Sequence, residues 1–392
     1  MDTLGPVGLR AQLLGTTALS ATASARATIP STSSQVDRVE RVGKRAPHAG
    51  DVIAWHDFAT TLITKVGLDD LMGAQRLAVA VQAQMNALAL ASPNKATIAN
   101  AAIGAVLTNY FPTEIASIHV FAAKLGLPLS PIDQAMALAI AGKSIAARVG
   151  DGSDDDRPIT IPEGKWVPKD PNEPPFRPRW GAVRMWTAAN DAVTAPPPPA
   201  EGSDIFAINY RLSRNSYDVR QILDTDATPE LKEQGRSFAA STEQWENLKP
   251  WNDVLVAEIK AREMSPQATA KLLFAFHTAR ADAYVAVFKA KYDPMNGFVR
   301  RPWQIEPADP IKEAVKLPNT PAYPSAHAGQ GGAISALLNQ VFPEKKKQWL
   351  AMASGARASR IVGGLSYLSD MVSTKMGETV ATNVMRELGI VR

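Results

Sequence analysis

The 392-residue sequence contains no cysteine and only five histidines. Without cysteine the chain cannot form disulfides, use a thiolate nucleophile, or build the thiolate sites of zinc fingers and iron–sulfur clusters. The five histidines also do not assemble a histidine-rich metal motif such as H-E-x-x-H. The sequence therefore excludes thiol chemistry and the common histidine-based zinc sites.

An excess of one charge and long apolar runs are missing as well. The chain has 42 basic and 38 acidic residues, a formal net charge of +4, which predicts neither a nucleic-acid nor a membrane-surface partner. No stretch reaches 18 consecutive apolar residues, so we expect no integral membrane segment. Apolar residues make up 45% of the chain, which is enough for a large core.

Residues 1–50 are predicted to be an N-terminal extension or a targeting segment. Arg10 precedes a short apolar stretch at 13–19, and Ala23-Ser24-Ala25 resembles a small-residue cleavage site. Threonines interrupt the apolar stretch, so export or organellar import and a cytoplasmic location with a disordered extension remain open.

The chain between residues 51 and 388 shows the pattern of helices. Apolar residues recur at spacings of three and four, whereas the one candidate hairpin turn, Asn296-Gly297, lies in a proline-containing loop. The predicted helices span 51–71, 74–90, 95–110, 132–147, 241–262, 267–289, 326–341, 345–360 and 370–388. We therefore expect an all-α fold.

Hydroxyl residues before prolines predict where helices begin. A hydroxyl at the N-cap accepts a hydrogen bond from the first turn, and proline is favoured at the first helical position. Four pairs follow this rule: Ser92-Pro93, Ser130-Pro131, Thr228-Pro229 and Ser265-Pro266.

A proline-rich strap, residues 151–200, separates two helical halves. It holds 11 of the 29 prolines, so it cannot form a helix of its own. Its large aromatic residues argue against a solvated linker and predict that it wraps across the helical body; they are Trp166, Phe176, Trp180 and Trp186. We expect residues 51–392 to form a single domain, with two separate domains as the alternative.

Three segments near the C-terminus carry basic and hydroxyl residues beside turns. They contain Lys291 and Arg301-Pro302, then Pro324-Ser325-Ala326-His327, then Ser359-Arg360 followed by Asp370. Pro324 and the helix formers after Ser325 place Ser325 at a helix N-terminus, where unpaired N–H groups favour an anion. Arg301 and Arg360 would add fork-shaped donors. The segments together predict a pocket for a tetrahedral, phosphate-sized anion.

The order of these segments resembles the vanadium-dependent haloperoxidase and type 2 phosphatidic acid phosphatase superfamily. That superfamily has Lys, six residues and Arg-Pro, then Pro-Ser-Gly-His, then Ser-Arg, five residues, His, three residues and Asp. The likeness extends over roughly residues 50–390 and includes a proline/tryptophan strap at 162–168 and 178–181. It implies a haloperoxidase/acid-phosphatase-like helical bundle, is compatible with a homodimer, and implies the anion-binding set Lys291, Arg301, Ser325, Ala326, Arg360 and Gly364.

The sequence departs from the superfamily pattern at three positions. Nine residues instead of six separate Lys291 from Arg301, and Ala326 replaces the motif glycine. Ser366 stands where the resemblance implies the histidine that accepts a phosphoryl group or bonds to vanadium. No histidine follows His327, so none from this segment can substitute for it.

The departures favour a repurposed enzyme that keeps the anion pocket without the covalent nucleophile. His327 would then be a general acid or base, and Ser366 and Asp370 are the other catalytic candidates. The substrate would carry a phosphate or diphosphate, and a prenyl diphosphate in terpene chemistry is one option. Mg²⁺ could then be a cofactor, with weak candidate ligands in the strap: Asp154, Asp155 and Asp156.

Two alternatives remain open at the level of sequence. One is a haloperoxidase or acid phosphatase with an altered site, for which vanadate would be the cofactor. The other is a catalytically inactive anion-binding protein. Outside the motifs, His277 and His119 lie among apolar residues and are predicted to be core histidines, whereas His56 has no visible partner.

Overall fold

The computed structural model describes residues 49–125, 129–226, 249–313 and 319–391. Within these ranges the chain forms eleven α-helices and no strand, which confirms the all-α prediction. The helices are α1 (Ala49–Val66), α2 (Asp70–Leu88), α3 (Lys95–Tyr110), α4 (Ile115–Leu125), α5 (Pro131–Ala146), α6 (Asp204–Asp226), α7 (Lys249–Ala261), α8 (Pro266–Lys291), α9 (Ala326–Val341), α10 (Lys346–Val362) and α11 (Ser373–Glu387).

Two of the four hydroxyl–proline pairs begin helices as predicted. Ser130 Oγ accepts the Asp133 amide at the start of α5, and Ser265 Oγ accepts the Ala268 amide at the start of α8. The prediction for Ser92-Pro93 is wrong, because α3 begins at Lys95 and Ser92 Oγ instead accepts the amide of Asn94 in the preceding turn. Thr228-Pro229 lies outside the described residues.

The predicted helix at 51–71 is also too long. The first helix ends at Val66, where Gly67 adopts a φ of +67°, and α2 begins afresh at Asp70 with Asp69 as its N-cap. By contrast, the observed bounds of α3 and α9 coincide with the predicted helices 95–110 and 326–341. Two helices, α4 and α6, are absent from the prediction, and residues 241–248 of another predicted helix are outside the described part.

Helix α8 is the central helix of the fold. Most of its residues are buried, and it packs against α2, α9 and α11. Helices α9 and α11 approach each other so closely that a Cβ on Gly377 would lie 1.9 Å from the carbonyl oxygen of Gly329. This packing holds α9, whose N-terminus carries the second motif segment, against the C-terminal helix.

The proline-rich strap lies on the helical body, as its aromatic residues predict. Trp166 and Trp180 are buried. Asp282 on α8 accepts the amide of Trp186 at 2.8 Å and that of Thr187 at 3.0 Å. The strap is therefore tied to the central helix by a carboxylate in the core.

The described residues lie within one compact unit, Ala46–Arg392. The predicted extension at 1–50 falls outside the described residues apart from its last two, which begin α1. No described helix is both long and apolar enough to cross a membrane. The division into an extension and a single helical domain stays a prediction.

Candidate functional site

The guanidinium group of Arg301 links the third motif segment to the loop that precedes the second. Its Nε donates to the Thr320 carbonyl at 2.8 Å, and one terminal nitrogen donates to the Thr320 hydroxyl at 2.8 Å. The other terminal nitrogen donates to the carbonyl of Leu365 at 2.6 Å. Arg301 is 3% exposed and joins the loop before the second segment to the third segment.

Lys291 lies in the same site despite its longer separation from Arg301. The intervening residues turn back on the helix end, because the Phe298 amide donates to the Lys291 carbonyl at 2.8 Å. The Lys291 ammonium group is buried and donates to the carbonyls of Pro321 at 2.6 Å and Ala322 at 3.2 Å. The extra residues therefore form a local turn that keeps Lys291 beside the second segment.

Both cations keep donors that these contacts do not use. A guanidinium group has five N–H bonds, and the contacts of Arg301 use three of them. An ammonium group has three, and the contacts of Lys291 use two. Their acceptors are neutral oxygens, so these hydrogen bonds do not balance the charge of either side chain.

Asp370 is the carboxylate that Lys291 and Arg301 share. It is fully buried, and burial raises its pKa to about 6, although the Tyr367 amide and the two cations favour its charged form. Burial likewise lowers the pKa of Arg301 to about 10, and burial together with the Arg301 charge holds the pKa of Lys291 well below its usual value. An anion in the site would oppose this effect of burial on Lys291 and Arg301, because a nearby negative charge favours the charged form of a basic group.

Ser325 caps α9 and joins it to the third segment. Its hydroxyl accepts the Ala328 amide at 3.3 Å, and its own amide donates to the Asp370 carbonyl at 2.9 Å. Ala326 and His327 follow in the first helical turn and are half-buried. The positive end of the helix thus lies against the segment that carries Asp370.

Arg360 and Gly364 shape the turn that follows α10. Arg360 is buried, and its carbonyl accepts the amides of Leu365 at 2.9 Å and Ser366 at 3.2 Å. Gly364 adopts a φ of +75°, a conformation that favours glycine, and a Cβ there would lie 3.0 Å from Ile311. This turn brings Arg360 and Leu365, whose carbonyl binds Arg301, into one loop.

Ser366 stands at the position of the expected histidine. Its side chain is buried, and its hydroxyl is close enough to Asp370 to favour the charged carboxylate. Asp370 Oδ2 accepts the Tyr367 amide at 2.9 Å, whereas Oδ1 has no partner at hydrogen-bonding distance among the described residues. The cations suit vanadate as an oxyanion, but the segment offers no imidazole to bond the metal, so the residues do not fit vanadate as a cofactor.

The three strap aspartates point to three different arginines instead of converging. Their partners are Arg76 for Asp154 at 3.6 Å, Arg157 for Asp155 at 2.7 Å and Arg177 for Asp156 at 2.9 Å. Across the described ranges, no group of three or more histidine, aspartate or glutamate side chains could hold a metal ion. The structure therefore offers no support for these residues as Mg²⁺ ligands.

Outside the site, two histidines form a buried pair. His277 is a core residue, as predicted, and its Nε2 lies 3.0 Å from Nε2 of His56. The expectation that His56 lacks a partner is therefore wrong. His119 is exposed, so its prediction as a core histidine is also wrong, because it lies on the outer face of α4.

No protein-family model matches the chain, and no curated protein matches its sequence. Solved structures do match it. A bacterial vanadium-dependent iodoperoxidase superposes with a TM-score of 0.70 at 17% identity, covering 89% of this chain and 98% of its own. A bacterial vanadium-dependent chloroperoxidase matches in its apo form with a TM-score of 0.63 at 15% identity, covering 81% of this chain and 93% of its own. Its holo form gives 0.61 at 14% identity, with 81% and 92% covered. The protein thus has the all-helical fold of the vanadium-dependent haloperoxidases.

Proposed function

We propose that the protein is an enzyme that binds the phosphate, diphosphate or similar anionic group of a small-molecule substrate. Lys291, Arg301, Arg360 and the helix end at Ser325 would hold this group. One observation carries the proposal: two buried basic side chains, Lys291 and Arg301, share one carboxylate and have N–H donors that their contacts do not use. Burial makes the charged forms of these side chains costly, and an anion in the site would offset that cost.

The proposed chemistry is electrostatic and needs no covalent adduct. Donors fixed around a leaving group stabilise the negative charge that develops as its bond breaks. With a prenyl diphosphate, the carbon–oxygen bond would break, both electrons would leave with the diphosphate, and a carbocation would form. His327, in the first turn of α9, would accept the proton that the carbocation loses, and an alkene would form. Ser366 would take no part as a nucleophile, because this bond breaks without a covalent adduct to the protein.

The test is diphosphate release from geranyl, farnesyl and geranylgeranyl diphosphates by the full chain, with and without Mg²⁺. Arg301→Gln should slow release by about a hundredfold or more, the usual effect of losing one such donor. Arg300→Gln is the matched control, because Arg300 pairs with Glu201 at the surface and should leave the rate unchanged. Arg301→Lys, which keeps the charge, serves if the glutamine variant does not fold. Unchanged substrate in every reaction would reject prenyl-diphosphate chemistry.

Haloperoxidase or acid phosphatase activity is the second candidate, favoured by the fold shared with the iodoperoxidase and chloroperoxidase structures. Its test is halide oxidation during vanadate titration, together with hydrolysis of p-nitrophenyl phosphate. Oxidation that rises with vanadate would show that Ser366 does not prevent this chemistry. Phosphate binding without any turnover would instead identify a catalytically inactive anion-binding protein.

A further inference from the structure

A cavity of about 190 Å³ lies between α2, α3 and the segment that follows α5. None of its lining residues belongs to the three motif segments. Its charged lining consists of two arginines and two aspartates, and its apolar lining consists of Val79, Ile145 and Val149. The cavity is smaller than the roughly 300–1,000 Å³ of sites for drug-sized ligands.

One of the two arginines, Arg148, is held by contacts within the protein. Its side chain is 7% exposed and is paired with Asp151 at 2.8 Å. It also donates to the carbonyl of Arg184 and lies over the ring of Trp186, 4.5 Å from the ring centroid. These contacts bind the start of the strap to α5 and use the charge of Arg148 within the protein.

The other arginine, Arg76, makes weaker contacts within the protein. Its guanidinium lies 3.9 Å from the ring centroid of Tyr110. Its one ion pair within the described residues is with Asp154 at 3.6 Å, and the Asp154 side chain is 83% exposed. Solvent screens such a pair, so an incoming anion can displace Asp154 from Arg76.

Gln75 adds a buried donor to the same cavity. The residue is 3% exposed, and its Oε1 accepts the indole N–H of Trp186 at 2.6 Å. An indole nitrogen can only donate, which fixes the amide orientation and makes Nε2 the donor. Among the described residues Nε2 has no hydrogen-bond partner, and Gln75 is one of the residues that line the cavity.

We propose that this cavity binds a small organic monocarboxylate. One carboxylate oxygen would accept from Arg76 and the other from Gln75 Nε2, while the body of the ligand packs against the apolar lining. The two arginines and two aspartates of the lining balance in charge. Of the two arginines, only Arg76 can exchange its carboxylate partner for a ligand. The cavity can therefore take up one negative charge, and a monoanion fits better than phosphate. The volume equals about six water molecules at ~30 Å³ each, which suits a ligand of benzoate size.

The test is calorimetric titration of the full chain with benzoate and benzamide, and of the full-length Arg301→Gln variant with benzoate and phosphate, because that variant weakens phosphate binding at the motif site. Benzoate should bind, Arg76→Gln should weaken it at least tenfold, and Asp154→Asn should strengthen it about two- to fivefold. Arg157→Gln, which changes an exposed arginine of the neighbouring segment, is the control and should have no effect.

Three results would overturn the proposal: no benzoate binding, equal binding to Arg76→Gln, or tighter binding of benzamide or phosphate than of benzoate at this cavity. The outcome is independent of the motif site. Arg301→Gln should leave benzoate affinity unchanged, and Arg76→Gln should leave diphosphate release unchanged.

Discussion

Replacing Asp370 by asparagine should change the stability of the protein in a pH-dependent way. Burial raises the pKa of Asp370 from 3.8 to about 6. This difference corresponds to about 3 kcal/mol of folding free energy. Because the folded pKa lies above the unfolded one, the stabilisation is fully present below pH 3.8 and is lost as the pH rises through about 6.

Asparagine mimics the neutral carboxyl group and cannot ionise. The free energy of unfolding of Asp370→Asn, compared with the wild type, should therefore increase by about 3 kcal/mol between pH 3.8 and pH 7.5. Urea unfolding at these two pH values measures the change. If the free energies of unfolding of the two proteins differ by the same amount at both pH values, Asp370 does not have the raised pKa of a buried carboxylate.

Anion binding should follow the same titration. The carboxylate is the counter-charge of Lys291 and Arg301, so its protonation leaves both cations free to attract an anion. Two unit charges ~8 Å apart at an effective dielectric constant of about 20 interact by about 2 kcal/mol, so neutralising Asp370 should favour a doubly charged anion by about 4 kcal/mol, or roughly a thousandfold in affinity. Sulfate, which stays doubly charged, should bind the wild type more tightly as the pH falls through about 6, and should bind Asp370→Asn tightly throughout. Weaker sulfate binding by the variant would contradict this reasoning.

Three further predictions concern the fold around the site. The pKa of His277 is held well below 6.5 by burial and by the charges of His56 and Arg280. The wild type should therefore lose stability as the pH falls below 6.5. In thermal unfolding, His277→Gln should lose less stability over this pH range. Asp282→Ala leaves three donors of the strap unpaired and should cost several kcal/mol, at about 1–3 kcal/mol each, in urea unfolding. Gly377→Ala should destabilise by about 1–3 kcal/mol because of its helix contact, whereas Gly142→Ala, with open space around it, should be neutral or stabilising.

Features that depend on residues close together in the sequence could be predicted from it. The caps at Ser130, Ser265 and Ser325 are such features, since each hydroxyl bonds an amide three residues further along. The order of Lys291, Arg301 and the later segments also indicated the fold. The predicted helix cap at Ser92 is wrong, because its hydroxyl accepts a hydrogen bond from an amide only two residues away and forms a turn instead of a cap.

Features that depend on tertiary contacts could not be predicted. His56 and His277 are 221 residues apart, and nothing near His56 in sequence marks it as the partner. Four of the five neutral acceptors of Lys291 and Arg301 are backbone carbonyls, which every residue has, so no residue type identifies them. The sequence therefore predicted which basic residues belong to the proposed site but not how many of their donors the fold itself uses.

The most direct test of the anion site is a calorimetric titration of the full chain with inorganic diphosphate at pH 7.5. The account predicts one bound diphosphate per chain, at least tenfold weaker binding by Arg301→Lys, and wild-type binding by Arg300→Gln. Equal affinity for the wild type and Arg301→Lys, or no binding by any of the three proteins, would contradict it.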